Sequence, residues 1–318
     1  MNTIFAFQVL VTLQDVNDCI PEFKSPAVIG VTENTNLTTV VHTVVVHDCD
    51  AGANADLTFS IASKSGPVSP FTIGTSDGRL RVNTNLDRET TQNYTMVVTV
   101  RDHGNPPLSS TQDLVVNIED ENDHSPVFSQ TTYLARVSED VAINVGQILL
   151  KVTATDQDVG VNGMVRYFVL SGDENQDFSL DQSSGALRVQ KKLDYERVSS
   201  YKLFVRAEDR GSIVRFAAAT VSITVDDVND NEPVFLDSPY VKYVRENMDR
   251  PVFVLQVSAK DADSAPFNQL QYKIQSGDLS LFNISQTTGQ IMALQSLDRE
   301  RALSYVLTVV ATDSGEFI

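Results

Sequence analysis

Leu86-Asp87-Arg88-Glu89 returns along this 318-residue chain as Leu193-Asp194-Tyr195-Glu196 and again as Leu297-Asp298-Arg299-Glu300. The intervals are 107 and 104 residues. A second motif, Asp15-Val16-Asn17-Asp18, returns as Asp120-Glu121-Asn122-Asp123 and as Asp227-Val228-Asn229-Asp230, at intervals of 105 and 107 residues. Because two independent motifs share one period, the sequence predicts tandem repeats of about 105 residues.

Between these motifs, apolar residues alternate with polar ones at a period of two. The pattern is clearest in residues 94–100 and recurs in 201–207 and 305–311, which is typical of half-buried β-strands. Residues 39–47, 57–62 and 114–119 have similar patterns, and Gly, Asn, Asp and Pro separate the segments. About seven short strands in each repeat predict an all-β fold, an antiparallel Greek-key (Ig-like) β-sandwich repeated in tandem.

The charge of the chain favours cations as partners. The chain has 24 basic and 42 acidic residues, a formal net charge of −18, which disfavours nucleic acid and anionic membranes as partners. No apolar run approaches the roughly 20 residues that span a bilayer, so any membrane anchor is expected outside this sequence. The apolar segment 4–13 lacks the basic start and cleavage site of a signal peptide and is interpreted as a strand.

Further acidic residues recur at the ends of each repeat. An Asp-x-Asp motif occurs at 48–50, 156–158 and 261–263, and a Glu stands near the start of each repeat at 33, 139 and 246. We call the Leu-Asp-x-Glu motif the acidic motif. Asp102, Asp209 and Asp313 each follow its Asp by 15 residues. Strand alternation places these carboxylates in loops, where core packing does not explain their recurrence. Oxygen ligands in such number suit Ca²⁺, which takes six to eight of them.

An EF-hand is the obvious alternative for the Asp-x-Asp motif. Counted from Asp48, Asp156 and Asp261, the twelfth position is an aromatic residue, where an EF-hand needs a bidentate Glu. Those positions are Phe59, Tyr167 and Tyr272. We expect all three to be core residues of a following strand.

In the order and spacing of these motifs, the chain resembles the ectodomain of a cadherin over nearly its whole length. The linker Asp15-Val16-Asn17-Asp18-Cys19 is more similar to the linkers of large fat-like or dachsous-like cadherins, or of protocadherins, than to those of classical cadherins. The resemblance implies that three Ca²⁺ ions lie at each junction between repeats. It also implies repeats at 19–124, 125–231 and 232–318, the last without its final strand, and a last strand of a preceding repeat at 1–18.

The resemblance assigns ligands to three junctions. The N-terminal junction is incomplete and is expected to bind Ca²⁺ weakly through Asp15, Asn17, Asp18, Asp48, Asp50 and Asp102. The middle junction comprises Glu33, Asp87, Glu89, Asp120, Glu121, Asn122, Asp123, His124, Asp156, Asp158, Asn162 and Asp209. The C-terminal junction comprises Glu139, Asp194, Glu196, Asp227, Val228, Asn229, Asp230, Asn231, Asp261, Asp263, Asn268 and Asp313. Glu121, His124, Asn162, Val228, Asn231 and Asn268 are implied to contribute backbone carbonyls.

Each complete junction would gather eight carboxylates, so calcium-free junctions should flex and calcium-bound ones should hold neighbouring domains stiffly. The favoured function is calcium-dependent cell adhesion at the extracellular side of the plasma membrane, with another cadherin ectodomain as partner, homophilic or heterophilic. A calcium-stiffened spacer without a binding face is the alternative. An enzyme would need one special site rather than the same acids in every repeat, and we do not expect one.

Two features concern the extracellular setting. Asn36, Asn93 and Asn283 each begin a glycosylation sequon. Cys19 and Cys49 are the two cysteines of the chain, and both map to the N-terminal junction. They can form a disulfide or remain separate thiols, because sequence alone does not give the distance between their Cα atoms.

Overall fold

The computed structural model describes residues 6–64, 69–140 and 146–313. It consists of strands and loops, with one short 3₁₀ helix at Gly52–Ala55 among the described residues. Within residues 6–126 the strands are β1 (Glu22–Phe23), β2 (Val28–Thr32), β3 (Val40–Thr43), β4 (Val46–His47), β5 (Leu57–Ser63), β6 (Phe71–Ile73), β7 (Arg79–Val82), β8 (Asn93–Asp102) and β9 (Ser109–Glu119).

The remaining strands form two further sandwiches. The second comprises β10 (Val127–Phe128), β11 (Thr132–Ser138), β12 (Ile148–Lys151), β13 (Ala154–Thr155), β14 (Arg166–Ser171), β15 (Phe178–Leu180), β16 (Ala186–Val189), β17 (Ser200–Glu208) and β18 (Phe216–Asp226). The third comprises β19 (Val234–Phe235), β20 (Val252–Gln256), β21 (Ala259–Lys260), β22 (Gln271–Ser276), β23 (Phe282–Ile284), β24 (Gln290–Ala293) and β25 (Thr308–Thr312).

The chain divides into two compact units. The first comprises Met1–Pro126 with the loops Asp156–Met164 and Asp209–Arg215, and the second comprises Val127–Thr155, Val165–Glu208 and Phe216–Ile318. All residues of the N-terminal and middle junctions therefore belong to the first unit, and all residues of the C-terminal junction belong to the second.

The first two sandwiches have the same sheets. A four-stranded sheet has the order β2-β9-β8-β5 in one and β11-β18-β17-β14 in the other, and it faces a three-stranded sheet, β3-β7-β6 or β12-β16-β15. The alternating residues face inward as predicted, since Met96, Val98 and Val100 of β8 are at most 1% exposed. The prediction of an antiparallel sandwich was wrong for one strand pair in each of these two sandwiches. β2 pairs in parallel with β9, and β11 pairs in parallel with β18.

In the third sandwich, the described part of the corresponding sheet has only two strands, β22 and β25. Residues 305–307, predicted as strand, precede β25, because its pairing with β22 covers only Thr308–Thr312. A groove of about 1180 Å³ runs along this sandwich between Tyr240, Val254 and Leu307. The described residues provide no strand equivalent to β9 or β18 to fill it.

Residues 6–16 form no regular strand, which differs from the strand predicted for residues 4–13. Phe7, Leu10 and Leu13 are 89–94% exposed. A strand needs a hydrogen-bonded neighbour, and no strand of the described residues pairs with this segment.

The aromatic residues at the twelfth positions lie in the cores. Phe59 of β5, Tyr167 of β14 and Tyr272 of β22 are 6–7% exposed. They are therefore strand residues and not metal ligands, as expected.

Three recurring glycines that precede the acidic motif lie in turns, and Gly185, with a φ of +70°, is typical. A Cβ there would lie 2.2 Å from the Val152 carbonyl oxygen, so the turn requires glycine.

Candidate metal centres

One buried glutamate connects two ligand-bearing loops in each complete junction. Glu33 is 2% exposed; its carboxylate accepts hydrogen bonds from the backbone N–H of Arg88 and of Glu121, both at 2.8 Å. Glu139, also 2% exposed, accepts from the N–H of Tyr195 at 2.5 Å and of Val228 at 2.8 Å. Each glutamate thus holds its acidic motif against the linker that follows β9 or β18.

The linker asparagine contacts the late aspartate in the same way at every junction. Nδ2 of Asn122 donates to Oδ2 of Asp209 at 3.1 Å, and Nδ2 of Asn229 donates to Oδ1 of Asp313 at 3.2 Å. Asn17 repeats the contact with Asp102 at 3.3 Å. Since the amide nitrogen faces one carboxylate, the amide oxygen remains available to a cation.

The Asp-x-Asp loops are tight turns that use one oxygen of their first aspartate. Asp156 Oδ1 accepts from the N–H of Asp158 at 3.1 Å, and Asp261 Oδ1 accepts from the N–H of Asp263 at 3.0 Å. The turn leaves Oδ2 of the first aspartate without a donor. Asp158, Asp261 and Asp263 are 3–7% exposed, so these carboxylates are largely removed from water.

Several buried oxygens of the predicted ligands have no hydrogen-bond donor among the described residues. These atoms are Asn17 Oδ1, Asp48 Oδ2, Glu89 Oε2, Asn122 Oδ1, Asp156 Oδ2, Asp227 Oδ1, Asn229 Oδ1, Asp261 Oδ2 and Asp263 Oδ2. A buried polar atom without a partner is costly and rare in native proteins. All nine are carboxylate or amide oxygens, the atoms that Ca²⁺ prefers. The residues therefore fit calcium.

Carboxylates from different loops converge. In the middle junction, ligand atoms of Glu33, Glu89 and Asp120 lie within 4.8 Å of one another. In the C-terminal junction, the same holds for Glu196, Asp230 and Asp263.

The proximity of these charges changes the acidity of the groups. Burial raises the pKa of Glu196 to about 7, and the negative charges of Glu139, Asp227 and Asp230 add to the effect. Burial likewise raises the pKa of Glu89, to which the charge of Glu33 contributes. The protein without metal therefore holds carboxylates that resist ionisation, and a bound cation would relieve that strain.

Comparisons with known proteins identify the repeats. The Cadherin domain family matches residues 27–119, 133–226 and 240–317. The chain belongs to the cadherin family. Its repeats are three cadherin domains, called first, second and third below. This family consists of adhesion proteins and not enzymes, and cadherin domains bind calcium at the junctions between repeats.

The relatives are very large cadherins. The chain is 41% identical to mouse Protocadherin Fat 4 over 97% of its own length and 6% of that protein. It is 34% identical to Drosophila melanogaster Protein dachsous, over 97% of its length and 9% of that protein. The chain thus spans less than a tenth of either relative.

Solved structures of other cadherins are similar. The chain matches mouse Cadherin-23 EC22-24 with a TM-score of 0.83 and 29% identity, covering 94% of this chain and 95% of that one. A protocadherin gammaB7 EC3-6 cis-dimer structure matches with a TM-score of 0.71 and 32% identity, over 95% and 75% of the two chains. None of the described helices could cross a membrane.

The loops that follow the Asp-x-Asp motifs also make side-chain contacts that the resemblance did not imply. Asn268 is exposed, and Ser264 makes the contacts that Val159 and Asn162 make in the middle junction. The Ser264 N–H donates to Asp227 Oδ2 at 2.7 Å, and its hydroxyl donates to the same atom. In the middle junction, the Asn162 amide donates to Asp120 at 2.9 Å. Sequence spacing around Pro266 gave no signal for Ser264.

The two cysteines are joined in a disulfide, with their Cα atoms 5.8 Å apart. Just before it, Asp15 accepts hydrogen bonds from the N–H of Ala51 at 3.0 Å and from the side chain of Asn54 at 2.9 Å. The N-terminal linker is therefore bound covalently to its Asp-x-Asp loop.

Two basic side chains of the middle junction make contacts that the sequence did not predict; for His124, only a backbone carbonyl was implied as a ligand. His124 Nδ1 lies 2.7 Å from Asp123 Oδ1 and 3.1 Å from Asp158 Oδ1. Burial lowers the pKa of His124, but the two aspartates outweigh it and the net shift is upward. The second is Arg88, whose side chain is 7% exposed and pairs with Asp120. Motif spacing did not predict the ion pairs of either side chain.

Proposed function

We propose that this chain is an extracellular segment of a cell-adhesion cadherin whose neighbouring domains are held in fixed orientations by Ca²⁺. The predicted ligands of the middle and C-terminal junctions hold the ions, and the incomplete N-terminal junction binds them more weakly. The protein lies on the outer side of the plasma membrane. Three exposed sequon asparagines, Asn36, Asn93 and Asn283, are compatible with that location.

The observation that carries the proposal is the set of buried, donor-free oxygens. These atoms belong to the acidic motif, the linker and the Asp-x-Asp loop, which come from different parts of the sequence. Calcium supplies positive charge and binds six to eight oxygens. Eight carboxylates with three divalent ions leave a net charge of about −2, whereas without ions they repel one another.

Calcium dependence can be tested by limited proteolysis of the two linkers, 119–126 and 226–233. We expect both linkers to be cleaved in chelator and protected in millimolar Ca²⁺, because the ions bind the linker to the flanking loops. Mg²⁺ at the same concentration serves as the control. Cleavage that is equally fast with and without Ca²⁺ would overturn the calcium mechanism.

An exposed aromatic surface favours adhesion over a passive spacer. It lies on the outer face of the sheet β11-β18-β17-β14, and we call it the second-domain patch. Its residues are Arg166, Phe168, Lys202, Phe204, Arg206 and Phe216. Phe204 and Phe216 are 43% and 57% exposed. Aromatic residues and arginine are enriched at protein interfaces.

The first domain lacks the aromatic and basic residues that β17 contributes to the patch. On β8 of the first domain, the positions that correspond to Lys202, Phe204 and Arg206 are Thr95, Val97 and Thr99. The Arg206 guanidinium lies 4.1 Å from the centre of the Phe216 ring. This cation–π contact places a positive charge beside the exposed aromatic residues.

We propose a second copy of this chain as the partner of the patch. Glu208 pairs with both Arg166 and Arg206, so the three basic residues of the patch still exceed this one carboxylate. In a chain with a net charge of −18, an acidic surface of another copy therefore complements the patch. Beads coated with the chain should aggregate in Ca²⁺, and Phe204→Glu should abolish aggregation, while the control Thr99→Glu should leave it intact. Equal aggregation of all three would exclude this surface. Failure of the unmodified chain to aggregate would exclude homophilic binding.

A further inference from the structure

The middle junction contains a buried cation supplied by the protein itself. Arg88, the second residue of the first acidic motif, is 6% exposed. Its Nε donates to Asp120 Oδ1 at 2.6 Å, and one terminal nitrogen donates to Glu89 Oε1. The same terminal nitrogen donates to the backbone carbonyl of Gln157 at 2.9 Å. Gln157 belongs to the Asp-x-Asp loop of the second domain.

Arg88 therefore joins the loops that Ca²⁺ is proposed to join. Glu89 comes from the acidic motif, Asp120 from the linker and Gln157 from the next domain's loop. The two carboxylates that pair with Arg88 also converge with Glu33 in the group described above. The side chains of Glu89 and Asp120 are each 12% exposed, so water screens these ion pairs only weakly.

The C-terminal junction has a different residue at this position. The counterpart of Arg88 is Tyr195, whose ring packs against the hydrophobic core of the second domain. An ion pair with a ligand of this junction joins Lys192 and Asp230 at 3.7 Å, but the Lys192 side chain is 61% exposed. A pair this exposed contributes little.

We propose that Arg88 is an internal counter-cation that keeps the middle junction ordered without calcium and opposes calcium binding there. The calcium part of this inference rests on the proposed function. In the C-terminal junction, the described residue at this position is Tyr195, which has no charge to replace the ion, so the order of that junction depends on calcium. One chain thus contains a junction that stays closed as calcium falls and another that opens.

The charge of the guanidinium determines the direction of both effects. Without metal, a buried positive charge beside eight carboxylates offsets part of their repulsion and holds the loops together. When Ca²⁺ arrives, the same charge repels the ion and occupies one oxygen each of Glu89 and Asp120. The guanidinium cannot replace the ion fully, because it only donates hydrogen bonds to carboxylates and cannot gather six to eight oxygens. Sufficient calcium therefore still fills the site.

The two junctions supply matched controls for each other. Arg88→Tyr gives the middle junction the residue of the C-terminal one, and Tyr195→Arg makes the reverse change. Hydrogen exchange of the linker amides, 120–124 and 227–231, is measured on the full chain in chelator and along a Ca²⁺ titration. The protection of the amides in chelator measures how ordered each linker is without calcium. The Ca²⁺ concentration at which protection is half complete, the calcium midpoint, measures the calcium affinity of each junction.

We expect Arg88→Tyr to lower the chelator-state protection of linker 120–124 about ten-fold. Its calcium midpoint should fall about ten-fold, which corresponds to about 1.4 kcal/mol. Tyr195→Arg should raise protection and midpoint at linker 227–231. Arg88→Lys keeps the positive charge but removes the planar guanidinium with its several N–H donors. Its calcium midpoint should stay within about two-fold of that of the unmodified chain.

Three outcomes would overturn the inference. Arg88→Tyr could lower protection and also raise the calcium midpoint, which would mean that Arg88 merely shapes the site. It could leave both unchanged. Arg88→Lys could match Arg88→Tyr, which would exclude charge as the cause. Failure of the proposed function looks different, because the unmodified chain would then gain no protection from Ca²⁺ at either linker, whereas Arg88→Tyr would still loosen linker 120–124 in chelator.

Discussion

Replacing Glu139 by alanine tests whether the ligand glutamates also organise the protein without metal. Glu139 is 2% exposed and accepts two backbone hydrogen bonds, from Tyr195 and Val228. A donor left without a partner away from water costs about 1–3 kcal/mol, so the gross loss for these two part-buried donors is at most about 2–6 kcal/mol. Removing one negative charge beside Asp230 offsets part of this loss. We expect the calcium-free second domain to lose about 2–4 kcal/mol of unfolding free energy.

Glu246 provides the matched control. It is exposed and accepts one hydrogen bond, from the Arg299 N–H at 2.8 Å, so Glu246→Ala should cost the third domain only about 0.5–1.5 kcal/mol. Urea denaturation in chelator, with pulsed hydrogen exchange to read each domain separately, measures both values. A loss for Glu139→Ala below that for Glu246→Ala would refute the view that this carboxylate fixes the two loops.

Three further results are expected. Asp177→Ala should destabilise the second domain by about 1–3 kcal/mol in urea denaturation, because the buried Asp177 accepts from the Tyr201 hydroxyl at 2.8 Å; an unchanged midpoint would contradict this. Replacing Cys19 and Cys49 by serine should increase hydrogen exchange of residues 15–19 in chelator, whereas unchanged exchange would show that the disulfide is dispensable there. Hydrogen bonds from Ser184 and Ser183 lower the pKa of Asp181, so its stabilisation is present above pH 4 and is lost on acidification. Asp181→Asn should therefore flatten the fall in stability below pH 4, and an unchanged slope would refute it.

The sequence predicts the features that repeat. The shared period, the alternation of β8 and β17 and the aromatic twelfth positions all follow from spacing, because equivalent positions meet the same packing demands in each domain. The convergence of Glu33 with the acidic motif and the linker agrees with the family resemblance. Its physical basis, two backbone hydrogen bonds to one carboxylate, becomes visible only in three dimensions.

Features that differ between repeats could not be predicted from the sequence. Arg88 and Tyr195 occupy one motif position, yet the first joins ligand loops and the second packs in a core. Ser264 donates two hydrogen bonds to Asp227, where Val159 and Asn162 donate to Asp120 in the middle junction, and no motif spacing pointed to Ser264. The parallel pairing of β2 with β9 also has no local signature, since it joins segments more than 80 residues apart.

The most direct test of calcium-dependent order is calorimetric titration of Ca²⁺ into the calcium-free chain, alongside Asp123→Ala and Asp230→Ala. We predict saturable binding at roughly 10⁻⁴ to 10⁻³ M, with each variant losing the ions of its own junction and retaining those of the other. Absence of saturable binding at millimolar Ca²⁺, or binding that neither substitution reduces, would contradict the account.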